Sequence, residues 1–98
     1  MSNNQQQREQ FGKRALEAIL NDIRYPEEGA RFRAVCDGSV NMGYFCHDWG
    51  IAEEDALGSL FGAIDASTSE SDHRTLRDVA ETCFIHGLEN PKTWSFDS

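Results

Sequence analysis

Apolar residues recur every three or four positions through three segments of the chain. Phe11, Ala15, Leu16, Ile19, Leu20 and Ile23 fall on one face of a helix, with polar side chains between them. This spacing predicts a first helix from about Gln6 to Arg24. Pro26 closes it, because proline disfavours helical geometry in the residue before it. The glutamine-rich residues ahead of it have nothing to bury, so residues 1–5 are expected to fray, along with the last few of the chain. Ile51, Leu57, Leu60, Phe61 and Ile64 predict another helix from about Ala52 to Asp65. Glu53, Glu54 and Asp55 occupy its first turn, where negative charge meets the positive end of the helix dipole. Leu76, Val79, Ala80, Cys83 and Phe84 predict a third stripe, on a helix from about Glu70 to His86. A hydroxyl-rich loop precedes it, Ser69 and Asp72 are spaced as in a capping box, and Gly87 supplies a left-handed stop. The tail beyond Pro91 carries Trp94 and Phe96, and two large aromatics are expected to dock on the body of the protein.

Residues 26–50 carry two competing patterns. Pro26 with Glu27 and Glu28 is suited to a first helical turn, Phe32, Val35 and Cys36 share a face, and Gly38 could close a short helix. The dipeptide Asp37-Gly38 also suits a two-residue hairpin, in which Phe32, Ala34 and Cys36 would face Val40, Met42, Tyr44 and Cys46. The proline and the acidic first turn favour the helix. The resulting fold class is an all-α compact bundle of about four helices. The alternative is an α+β arrangement of a helix, a β-hairpin at about 31–46, and two further helices.

At 98 residues the chain has room for one core, so 1–98 is read as a single domain. Its net charge is −8 and its pI about 4.7. That balance opposes binding modes that draw their affinity from neutralising phosphates, and direct nucleic-acid binding is not expected. No apolar run approaches the length of a membrane span and the N-terminus is polar, which predicts a cytoplasmic protein. Three cysteines, Cys36, Cys46 and Cys83, are too few for a disulfide framework and agree with a reducing compartment.

The distribution of charge is more informative than its sum. Residues 1–34 hold six basic and five acidic side chains, whereas residues 35–98 hold three basic and twelve acidic ones. No Lys or Arg lies between Arg33 and Arg74, yet eight carboxylates do: Asp37, Asp48, Glu53, Glu54, Asp55, Asp65, Glu70 and Asp72. Like charges on one surface repel, and a cationic partner would offset that cost. Asp48, Glu53, Glu54, Asp55, Asp65, Glu70 and Asp72 are therefore the candidate partner-binding residues. Their expected partner is a basic protein surface, such as the nucleic-acid groove of another protein, where carboxylates would take the positions of phosphates.

Other constellations are weaker. Cys36, Cys46, Cys83 and His86 are ligand types suited to zinc, but Cys36 and Cys46 lie far outside knuckle spacing, so packed thiols are the expectation and no cofactor or metal is assigned. Cys46 beside His47, and Cys83 three residues before His86, do not form nucleophile–base dyads by sequence proximity alone. Glu53 and Glu54 are better explained by their helix start than by acid–base work. Gly58 and Gly62 form a GxxxG pattern that reads as close packing in a soluble core, or else as a self-association face. His73 is expected to face solvent. No catalytic residue is assigned. The function predicted is a non-catalytic acidic inhibitor or adaptor, extending to a nucleic-acid mimic of a phage or mobile element that blocks a host protein. A small Cys/His zinc domain and a self-associating structural subunit are the alternatives.

Overall fold

All three apolar stripes are helical in the computed structural model, which describes residues 3–27, 30–67 and 73–92. Within these residues the protein is an all-α bundle of four helices: α1 (Asn3–Arg24), α2 (Arg31–Phe45), α3 (Glu53–Ala66) and α4 (His73–Glu89). The α+β alternative is not adopted. Ser69, Asp72, Trp94 and Phe96, with the cap and the docked tail expected of them, lie outside the described residues.

The ambiguous segment differs from both of its sequence readings in detail. Pro26 and Glu27 precede α2 instead of forming its first turn, and α2 runs through Gly38 to Phe45. Gly38 does not stop the helix because its missing side chain is used for packing. A Cβ there would lie 2.8 Å from Ile19 Cγ2 on α1, well inside van der Waals contact. The chain reverses only at Gly50, whose φ of 71° suits glycine and closes the turn after α2. α3 begins as expected, with its three carboxylates in the first turn, although Ala52 provides no side-chain cap.

The most intimate contact in the bundle joins α2 and α4, which run parallel. A Cβ on Gly43 would sit 2.8 Å from Gly87 Cα and 2.9 Å from the Leu88 nitrogen. A Cβ on Gly87 would sit 2.8 Å from Gly43 Cα and 2.8 Å from the Tyr44 nitrogen. The two backbones touch, and any side chain at either position would wedge them apart. Gly87 accordingly does not end α4, which continues to Glu89. Just beyond, the Lys92 backbone N–H donates to the Tyr44 carbonyl at 2.8 Å, satisfying one of the carbonyls left open at the end of α2. The Lys92 ammonium lies 4.0 Å from the centre of the Tyr44 ring.

α1 and α3 cover this pair. Leu20 and Ile23 of α1, Val35 and Met42 of α2, Leu60 and Ile64 of α3, and Leu76 and Phe84 of α4 are buried in one cluster. Trp49, in the turn after α2, joins it, stacked on Phe45 at 5.1 Å and edge-on to Phe11 at 5.8 Å. Gly12 on α1 makes room for it, since a Cβ there would meet Trp49 Cγ at 2.8 Å. The GxxxG expectation for α3 is corrected: Gly58 and Gly62 are exposed, with nothing within 4 Å of a Cβ at either one. The backbone-to-backbone glycine contact lies between α2 and α4 instead.

These placements give opposite signs for the same substitution. Gly43→Ala and Gly87→Ala are each expected to destabilise by about 3 kcal/mol, since the helices must separate to admit a methyl group. Gly58→Ala and Gly62→Ala are each expected to stabilise by about 0.5 to 1 kcal/mol through helix propensity. Leu60→Ala, at a fully buried position, is expected to cost about 2 to 5 kcal/mol. Urea denaturation of the five variants checks all of these, and destabilisation by both α3 glycine substitutions would contradict the packing described.

Candidate functional site

The candidate carboxylates separate into distinct neighbourhoods. Asp48 lies in the turn after α2, half-buried, and Arg8 of α1 donates from one guanidinium nitrogen to both of its oxygens at 3.0 and 2.9 Å. Glu53 opens α3 and lies 2.6 Å from His47 Nε2, both side chains being exposed. Glu54 and Asp55 follow on the same turn and are also exposed. Asp65 stands at the other end of α3, about 18 Å along the helix axis from Glu53 at the usual rise per residue. Arg77 of α4 bonds one Asp65 oxygen, and His73 Nδ1 lies 3.9 Å from the other. Arg77 also covers the Phe61 ring, 5.9 Å from its centre. Glu70 and Asp72 lie outside the described residues.

Two expectations change in consequence. The acidic run does have counter-ions, because Arg8 and Arg77, distant in sequence, reach Asp48 and Asp65 across helix interfaces. His73 is partly buried beside Asp65 instead of facing solvent. What converges in space is the exposed group Glu53, Glu54 and Asp55, next to the turn that holds His47 and Asp48. A second acidic neighbourhood had no signal in the sequence: Asp22 near the end of α1, Glu27 in the connection after it and Asp37 of α2 line a cleft of about 350 Å³. Tyr25, Arg33 and Asn41 complete its polar wall. These three carboxylates come from α1, the connection after it and α2, so no local run of acidic residues marks them.

The cysteines are also sorted by the fold. Cys36 and Cys83 meet across α2 and α4 with their sulfurs 3.1 Å apart, while Cys46 is fully buried in the core. Burial pushes the Cys46 thiol up from its ordinary value, and the nearby Glu53 carboxylate adds to the shift. Burial is also the first cause for Cys83, followed by its hydrogen bond to Cys36 and the charges of Cys36 and Asp37, which together push it up to about 11. His86 is exposed on α4. Among the described residues no group of three or more His, Cys, Asp or Glu side chains is arranged to hold a metal ion. What the exposed turn of α3 can do chemically is accept ion pairs from ammonium or guanidinium groups.

Two outcomes follow from this geometry. A double-mutant cycle on Arg8→Gln and Asp48→Asn is expected to give a coupling of about 1 kcal/mol, falling as salt rises, because the pair is partly screened by solvent. The raised Cys83 thiol makes the folded state hold its proton more tightly than the unfolded one. Its contribution to stability is therefore complete below its ordinary value of 9.0 and is lost as pH rises toward about 11. Comparing wild type with Cys83→Ser by denaturation under reducing conditions isolates that loss, which the variant is expected to lack. The chain matches no protein-family model, no curated protein and no solved structure.

Proposed function

We propose that this protein is a non-catalytic acidic binding protein that acts in the cytoplasm as an inhibitor or adaptor against a basic protein surface. The observation that carries the reading is the exposed first turn of α3, where Glu53, Glu54 and Asp55 stand together with no Lys or Arg paired to them among the described residues. Carboxylates at a helix start are favoured by the helix dipole, so this charge is accommodated without a Lys or Arg, His47 alone contacting Glu53. A surface of this kind steers a cationic partner and pairs with it on contact. The preferred partner is the basic groove of a nucleic-acid-handling protein, with the carboxylates in phosphate positions. A protein of a phage or mobile element that blocks a host enzyme fits that role. Asp48, already paired to Arg8, is a rim position. Asp65, paired to Arg77 at the opposite end of α3, lies outside this surface.

One further observation favours a second reading. The exposed Gly58 and Gly62 leave an α3 face that another helix could approach closely, and self-association would be read as a doubled mass in solution.

The test combines salt, competition and charge reversal. Partners bound at low salt are expected to be released as ionic strength rises and to be displaced by duplex DNA. Replacing Glu53, Glu54 and Asp55 with lysine is expected to slow association by about tenfold or more through lost steering. A Glu53→Gln, Glu54→Gln, Asp55→Asn variant controls for the dipole effect on folding. Equal changes at Glu9, Glu17 and Glu27 are expected to do little. Binding insensitive to salt, to DNA and to the reversal would overturn the proposal.

A further inference from the structure

Cys36 and Cys83 are separated by 47 positions in the chain, yet their sulfurs lie 3.1 Å apart. The facing follows from the backbone: the Gly43–Gly87 contact lies farther along the same two helices and fixes their separation. Both thiols are only partly buried, in contrast to Cys46. They border a shallow depression of about 330 Å³ walled by Phe32, Val79, Thr82 and Asp78, so a small molecule reaches them from solvent. A disulfide needs about 2.0 Å between its sulfurs, which leaves about 1 Å to close. We propose that Cys36 and Cys83 are a redox-active pair that closes to an intrachain disulfide across α2 and α4 when the reduced protein meets a low-molecular-weight disulfide.

The exchange balances as follows. The Cys36 thiolate attacks one sulfur of the small disulfide and expels a thiolate, leaving a mixed disulfide on Cys36. Cys83 then gives up its proton and attacks the Cys36 sulfur, forming the Cys36–Cys83 bond and expelling the second small thiolate. Two electrons pass from the cysteine pair to the small disulfide, and the two expelled thiolates take up the two protons. Cys83 is suited to the second step. Held protonated near neutrality by burial, by its hydrogen bond with Cys36 and by the Asp37 carboxylate, it serves as the second nucleophile, attacking once Cys36 is oxidised. Resolution is therefore slow at pH 7 and accelerates with pH. The product fastens α2 to α4 at a point separate from the glycine contact.

The experiment treats the reduced full chain with oxidised glutathione at pH 7 and pH 8.5 and counts thiols. The free thiols are expected to fall from three to one, with peptide mapping joining Cys36 to Cys83 in a monomer. The Tm is expected to rise by about 10 °C, as for a disulfide closing a long loop in a small domain. Closure is expected to be about tenfold faster in native buffer than in concentrated urea, because folding supplies the effective concentration. Cys83→Ser is expected to stop at a stable glutathione adduct on Cys36. Three retained thiols, a disulfide that includes Cys46 or a second chain, or faster closure in urea would each overturn the proposal. The wild-type measurements decide the question even if a cysteine variant fails to fold.

Discussion

Two glycines without side chains set the geometry of this bundle. Where Gly43 and Gly87 meet, helix backbones pack at a separation that no other residue pair would allow, and the remaining contacts are arranged around that crossing. Toward the helix N-termini from it, Cys36 on α2 and Cys83 on α4 also meet, their sulfurs 3.1 Å apart. α1 and α3 then close the sides, with Leu20, Ile23, Leu60 and Ile64 filling the space that the central pair leaves. The cost is entropic, since each helical glycine weakens its own helix. Burial of Phe84, Met42 and Val35 alongside the crossing offsets that cost.

The same crossing explains what could and could not be read in the sequence. α1 was legible because its apolar residues all face one way and its neighbours fill ordinary space. α2 was legible as a helix but not in its extent, because Gly38 and Gly43 are conventional breakers in one dimension and packing surfaces in three. Whether a glycine ends a helix or admits a partner depends on the partner, and the partner of Gly43 lies 44 positions later. Gly58 and Gly62 show the converse: their spacing resembles a contact motif, yet α3 presents them to solvent. Trp49, a keystone of the core, lies outside every periodic stripe and stacks from a turn.

The acidic segment is a comparable case. Counting Lys and Arg between positions 33 and 74 describes the chain but not the surface, because Arg8 and Arg77 arrive from α1 and α4. Folding thereby divides a run of like charge into carboxylates paired to arginines across helix interfaces and exposed ones on the first turn of α3, where Glu53 meets only His47. The separation was invisible locally, since Asp48 and Glu54 differ only in what lies across from them. The cleft lined by Asp22, Glu27 and Asp37 was invisible for the same reason, being assembled from two helices and the connection between them.

The exposed glycines of α3 carry a consequence for motion. Each lowers the local cost of opening its helix and contributes no packing in return, whereas the glycines of α2 and α4 are locked by their neighbours. Gly58 and Gly62 therefore lower the cost of local opening within α3, while the packing of Gly43 and Gly87 opposes it at the α2–α4 crossing. The acidic turn is thus carried by a helix that two exposed glycines weaken. A partner that clamps Glu53, Glu54 and Asp55 would quiet α3 as it binds, and would give up part of its affinity to do so.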